Sequence, residues 1–300
     1  MDCGIANEWG AIQQIVVGTA ASMGGTPDVA DCYDPVSRQH VIAGDFPAET
    51  DVQRELDGLA AALELAGAEV IRPATLDRLN QVFSRDIGMV VDNVLLRART
   101  IGDRAREWGG VSAALTGLKP ELLPEGARLE GGDLLVLDGG LAVGVTSDVV
   151  LAGLKVARTN LAAVDFLRER FPQRKLLSVE LAKSDTDALA NTLHLDCAFM
   201  PLGGGHAIVH KAAFLKADQL EALLDMHGRA GILEVDASEA MLLQTNLFHV
   251  NPTTILSDAR FERVNAQLTA WDYNVLPIEM EHVSRMGGLL RCSTLPLARS

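Results

Sequence analysis

Four stretches of this chain carry side chains that could work together on one carbon atom. The last is Gly287-Gly288-Leu289-Leu290-Arg291-Cys292-Ser293-Thr294-Leu295-Pro296, a glycine pair followed by a lone cysteine. Glycines let backbone approach a neighbour closely. Phe83-Ser84-Arg85-Asp86, Leu129-Glu130-Gly131-Gly132-Asp133 and Leu193-His194-Leu195-Asp196 add four acids and a histidine. A single cysteine is most often a small apolar core residue. Joined to carboxylates and an imidazole, it completes the set a thiol needs to attack a cationic carbon. Carboxylates accept paired N–H bonds, the imidazole moves protons and the thiolate is the nucleophile.

Other motifs have plainer readings. Glu130 beside two glycines fits a β-bulge, or a carboxylate aimed into a cavity where tight backbone packing is needed. His194 and Asp196 alternate with leucines, so a strand there predicts that both share a face. Gly203-Gly204-Gly205 lies between two strand-like runs with no helix after it, which favours a hairpin turn over a phosphate loop. His206 and His210 lie about 13 Å apart if extended, too far to share a metal. Lys183–Asp187 reads as a solvated or capping loop.

The elements that must position these residues repeat. Ile12–Val17 reads as a strand. Residues 20–46 form a polar, turn-rich excursion, expected to be a lid. Thr50-Asp51-Val52-Gln53 has the form of a capping box opening a helix that stops at Gly67. Val70-Ile71 follows as a strand, and the apolar runs of 87–96 hinge at Asp92-Asn93 as a hairpin. A weaker helix at 103–117 precedes Glu130, and strands at 134–137 and 141–145 follow it. A third helix, capped by Thr159 or Asn160, ends before Pro172 and leads through strand 176–180 to His194 and Asp196. A hairpin, a helix over 216–227 and strand 232–235 lead to Asn246. A hairpin turning at Asn251-Pro252, a helix over 258–270 and strand 274–278 lead to Cys292. Asp86, Glu130, Asp196, Asn246 and Cys292 therefore recur at intervals of roughly 45–65 residues. A closed array of five helix–strand–polar–hairpin units would gather them around one opening. The competing arrangement is an open α/β sheet with scattered polar loops.

Bulk properties exclude several classes. Composition is ordinary globular, 48% apolar and 22% charged. A net charge of −14 disfavours nucleic-acid binding, since phosphates are repelled. No apolar stretch reaches the ~18 residues of a membrane span. Cysteines 3, 32, 197 and 292 show no CxxC or zinc spacing, and Met1–Trp9 lacks a signal peptide's pattern. A reduced, cytoplasmic setting and one domain over residues 1–300 are expected.

Together the motifs resemble the guanidino-group-modifying enzymes: arginine deiminase, dimethylarginine dimethylaminohydrolase and the arginine amidinotransferases. The resemblance runs from Asn7-Glu8-Trp9 and the Ile15-Val16-Val17-Gly18 strand to Cys292. The family's Asn-x-x-x-x-Arg-Asp ending is matched at Asn80 through Arg85-Asp86. Its Glu-Gly-Gly-Asp is matched at Glu130–Asp133, its His-x-Asp at His194 and Asp196, and its terminal cysteine at Cys292. Two positions depart from the pattern: Arg291 stands where the deiminases usually have histidine, and Cys197 where threonine is common.

The resemblance implies an α/β fold, the five-bladed pseudo-symmetric α/β propeller called the pentein fold. It implies that Asp86 and Asp196 grip the substrate's guanidinium. Cys292 attacks to give a covalent amidino-enzyme. His194 protonates the leaving amine and then activates the next nucleophile, and Glu130 orients His194. Arg158 is expected to bind the substrate's α-carboxylate, with Arg85 and Asn80 as lesser candidates. The expected partner is a small guanidino compound such as arginine. No metal or organic cofactor is implied, and a homodimer is compatible with the reading. Water as second nucleophile gives a hydrolase and an amine gives an amidinotransferase; the Glu-Gly-Gly-Asp motif and short chain lean to the hydrolase. A propeller of this kind used as a non-catalytic binding protein is the alternative from another class.

Overall fold

Five three-stranded sheets, each an antiparallel pair extended by a parallel strand, make up the β structure among residues 3–300, which this computed structural model describes. Met1 and Asp2, at the head of the Met1–Trp9 stretch, lie outside those residues. In chain order the elements are β1 (Ile12–Val17), α1 (Pro35–Ala43), α2 (Glu49–Leu65), β2 (Glu69–Ile71), β3 (Gly88–Val91), β4 (Val94–Arg97), α3 (Trp108–Ala114) and β5 (Glu121–Leu122). Then follow β6 (Leu134–Leu137), β7 (Gly140–Val145), α4 (Leu161–Arg170), β8 (Lys175–Glu180), β9 (Phe199–Pro201), β10 (His206–Val209), α5 (Ala217–His227) and β11 (Gly231–Glu234). The chain ends with α6 (Ala237–Met241), β12 (Phe248–Asn251), β13 (Thr254–Asp258), α7 (Glu262–Ala270), β14 (Asn274–Ile278), α8 (Glu281–Ser284) and β15 (Thr294–Arg299).

Each unit is a hairpin whose second strand pairs in parallel with the strand after the next helix: β3-β4-β5, β6-β7-β8, β9-β10-β11 and β12-β13-β14. The fifth sheet, β15-β1-β2, joins the two ends of the chain, with β15 antiparallel to β1 and β2 parallel to it. The helix supplies the crossover that a parallel pair requires. β3, β6 and β7 are buried along their whole length, which their continuous apolar runs accommodate.

The five polar positions spaced along the sequence become equivalent in space. Asp86, Glu130, Asp196, Asn246 and Cys292 each stand just ahead of the first hairpin strand of a unit, β3, β6, β9, β12 and β15 respectively. All five are buried.

Several local expectations change. α2 begins at Glu49 with Ala48 as an uncapped N-terminus, so the capping box at Thr50–Gln53 is not made. Gln53 Oε1 instead accepts from the Ala20 and Ala21 amides and ties the 20–46 excursion to α2. That excursion is not all turn: Asp34 caps α1 by accepting from the Ser37 amide. Asn160, rather than Thr159, caps α4.

Candidate active site

The last stretch is positioned by close packing. A Cβ on Gly288 would run into the Phe83 ring, so glycine is needed to bring the Cys292 segment against the Asp86 segment. The Arg85 amide then donates to the Cys292 carbonyl at 3.0 Å, and the Cys292 amide donates to Asn246 Oδ1 at 3.1 Å. Cys292 is thus pinned from two neighbouring units. Its thiol lies 3.9 Å from Asp196 Oδ2.

His194 and Asp196 do not share a strand face, because residues 195–197 form a single 3-10 turn with His194 at its N-cap. The turn still brings both inward. Its register is set by Asp133 Oδ1, which accepts from the Leu195 amide at 3.0 Å. His194 Nε2 lies 3.0 Å from Glu130 Oε2, and Nδ1 lies 3.6 Å from Asp86 Oδ1. A Cβ on Gly132 would sit 2.6 Å from His194 Nδ1 and 2.9 Å from Asp86 Oδ1, so only glycine lets these groups meet. Nδ1 is buried without a hydrogen-bond partner, which makes it the ring nitrogen free for proton transfer.

The electrostatics suit an acid. Burial alone would push His194 down, but Asp86 and the bond to Glu130 outweigh it and raise the imidazole to about 9. It is therefore an imidazolium at neutral pH. Burial likewise opposes the charge on Glu130, yet Arg158, His194 and Arg104 hold it well below the usual carboxylate range.

Both acids expected to grip a substrate already hold guanidinium groups of the chain. Arg104 Nη1 donates to Asp86 Oδ2 at 2.6 Å, while Nε and Nη2 make a forked pair with Glu107 at 2.8 Å. Arg291 Nη1 donates to Asp196 Oδ2 at 2.8 Å, and Nη2 to Glu8 Oε1 at 2.9 Å. Arg291 thus bridges Asp196 and Glu8 where the resembled deiminases carry histidine.

Arg158, expected to meet a carboxylate, is already bonded within the chain. Arg158 donates Nη1 to Glu130 Oε2 (2.8 Å), Nε to the Lys155 carbonyl (2.8 Å) and Nη2 to the Tyr33 carbonyl (2.7 Å). Arg85 borders a small cavity with Glu8 and Arg299. Asn80 donates Nδ2 to the Tyr33 hydroxyl at 3.2 Å. Tyr33 and Asp34 are carried by the 20–46 excursion, and Ser37 Oγ donates to the Met286 carbonyl. The excursion therefore lies on Arg158, Asn80 and the stretch leading to Cys292. Lys183 is not solvated: its ammonium donates to the Thr192 and Leu193 carbonyls and braces the segment before His194.

Arg104, Glu107, Glu8 and Tyr33 were not picked out as site residues by sequence reasoning. Arg104 and Glu107 carried a faint signal, opposite charges three apart in a segment with little helical periodicity. Among the described residues two groups stand close enough to share an ion: Asp196 with Cys197 and Cys292, and Asp86 with Glu130 and His194. In each, the carboxylates already face an arginine, which supplies the positive charge a metal would bring.

No protein-family model matches the chain. It is 29% identical over 245 residues to YkgA, an uncharacterized protein of Bacillus subtilis (strain 168), covering 80% of this chain and 78% of that one. Among solved structures it is similar to SxtG, an amidinotransferase of the saxitoxin biosynthetic pathway from Microseira wollei, with a TM-score of 0.77 at 16% identity over 99% of this chain and 97% of that one. It is also similar to the product-bound N-terminal domain of ArgZ, an arginine dihydrolase of cyanobacteria, with a TM-score of 0.75 at 18% identity over 95% and 97% of the two chains. The chain has the pentein fold, the five-bladed α/β propeller of these guanidino-modifying enzymes.

Proposed function

We propose that this protein is a cysteine-dependent enzyme acting on the guanidinium group of arginine or a close arginine derivative, with water as the final acceptor. The observation that carries the reading is a pinned cysteine beside Asp196 and a charged histidine beside Asp86, with each of those two carboxylates already hydrogen-bonding a guanidinium. Such carboxylates are built for a flat cation with paired N–H donors.

The chemistry follows from the positions. Asp86 Oδ1 and Asp196 Oδ1 are the oxygens not bonded to Arg104 or Arg291, and they would accept the substrate's N–H groups. The incoming cation favours the thiolate of Cys292, which adds to the guanidinium carbon. His194 gives its Nδ1 proton to the departing nitrogen, and the C–N bond breaks to leave an amidino-enzyme. The now neutral His194 takes a proton from water as the water attacks, and Cys292 leaves as thiolate. Glu130 holds the ring through Nε2 in both protonation states.

A substrate carboxylate would take the place of the Tyr33 carbonyl on Arg158 Nη2 when the 20–46 excursion moves aside. Arg158 would keep its bond to Glu130. Burial of Cys292, at 3% exposure, favours water over a bulky amine as the second nucleophile. An amidinotransferase is the second reading, and the similarity to SxtG favours it.

The test is a panel of guanidino compounds incubated with the protein, with and without amine acceptors, read for ammonia, amine, ureido and new guanidino products. Ureido product from arginine without an acceptor supports the hydrolase. New guanidino product only when an amine is present overturns it in favour of transfer. Inertness toward every compound, together with no labelling of Cys292 by a haloacetamidine, overturns the enzyme reading.

A further inference from the structure

Among the described residues Arg85 makes no ion pair with an acid. Its Nε reaches the Arg291 carbonyl at 3.4 Å, and its buried Nη2 has no partner. It borders a cavity of about 10 Å³ shared with Glu8, Met89, Leu134, Val136 and Arg299. Arg299 gives Nη1 to the Gly10 and His249 carbonyls, at 2.6 and 2.9 Å, and also leaves a buried Nε without a partner.

The surrounding charges do not balance. Arg85, Arg291 and Arg299 supply three cations, and Glu8 and Asp196 supply two anions. None of the five residues is more than 9% exposed. Glu8 is already occupied: its Oε1 accepts from Arg291 Nη2 and the Val136 amide, and its Oε2 from Arg291 Nε. Burial and the charge of Arg291 push Arg85 down to about 9, and burial pushes Arg299 down to about 10. Burial, then Arg299, drive His249 to about 3, so it stays neutral and adds no charge. An uncompensated buried cation is costly, and unpaired buried N–H donors add to the cost.

We propose that this cavity is a binding site for one small monovalent anion of the halide class, held between Arg85 and Arg299. An anion there would supply the missing charge and accept from both unpartnered guanidinium nitrogens. The cavity has room for a single small occupant, which excludes phosphate and organic carboxylates. Met89 in the wall gives it compliance for an ion slightly larger than water. The proposal does not depend on what Cys292 does, and its test does not use activity.

Crystals of the full chain soaked in sodium bromide should show an anomalous peak within hydrogen-bond distance of Arg85 and Arg299. Thermal unfolding in sodium chloride or bromide should occur about 3 °C higher than in sodium gluconate at the same ionic strength. General salt effects favour gluconate, so this order marks a specific site. Arg85→Gln should lose the halide dependence; if that variant does not fold, the anomalous measurement on the parent protein decides. A water at the position with no bromide peak, or equal unfolding temperatures of the parent in halide and gluconate, overturns the proposal.

Discussion

On the His194 side of the site, Asp86, Glu107 and Glu130 face Arg104 and Arg158. On the other side, Arg85, Arg291 and Arg299 face Glu8 and Asp196. Both clusters are buried, both are built from guanidinium–carboxylate pairs, and Cys292 lies beside the second, next to Asp196. The first sets three carboxylates against two guanidiniums, and the proton on His194, together with the upward push of burial on Glu107 to about 7, offsets the difference. The second has one positive charge in excess, and its neighbour His249, kept neutral by burial and then by Arg299, does not correct it. The comparison teaches why the histidine holds its proton so firmly. It is the counter-charge of its own cluster, and in the proposed reaction the loss of that proton would be offset by the substrate's own cation. The arginine-rich cluster has no such exchange available, which is why an anion is its natural complement.

The largest expected effect falls at the boundary between the clusters. Cys292→Ser should lower turnover by at least about 1,000-fold while leaving the unfolding transition within ~1 kcal/mol of the parent, because a similar small side chain keeps the backbone bonds to Asn246 and Arg85. Turnover within tenfold of the parent would refute the nucleophile assignment.

Next in size is a paired substitution that probes the imbalance directly. Arg104→Gln leaves three acids facing one arginine and should destabilise by roughly 3–5 kcal/mol in denaturant unfolding. Arg299→Gln removes a cation from the side with too many and should cost less than half as much. Equal losses would show that the count of charges does not govern these clusters.

The pH dependence is smaller and has a definite sign. His194 is raised from 6.5 to about 9 in the folded chain. A group with a raised folded pKa stabilises fully below its unfolded value and loses that contribution as pH rises through the folded one. Stability should therefore fall between about pH 6.5 and 9, and the first half-reaction should fade above about 9. His194→Gln should flatten the stability profile over that window. An unchanged slope in the variant would assign it to another group.

The smallest effect concerns the second thiol. Cys197 donates to Asp196 Oδ1 at 3.5 Å, and hydrogen bonding with Cys292, then burial, hold it well above the usual thiol range. A haloacetamidine should therefore label Cys292 and leave Cys197 unmodified at neutral pH, as read by peptide mass spectrometry. Labelling of both at similar rates would contradict this.

Residue order alone determined much of this protein. Helix and strand periodicity, turn residues such as Asp92-Asn93 and the recurrence of one polar position per unit are local signals, and they suffice for five similar units and for Asp86, Glu130, Asp196, Asn246 and Cys292 as a set. Tertiary structure decided the pairing of charges. Arg158 was expected to wait for a carboxylate, yet its three nitrogens reach Glu130, Lys155 and Tyr33, the last of them 125 positions away. Arg104 gave almost no local sign, yet it occupies Asp86. His194 and Asp196 were read as strand neighbours, and a 3-10 turn held by Asp133 set them instead. The physical reason is that periodicity reports which face of an element is buried. Which guanidinium meets which carboxylate depends on distances between units far apart in the chain, and those exist only once the ring of five sheets has closed.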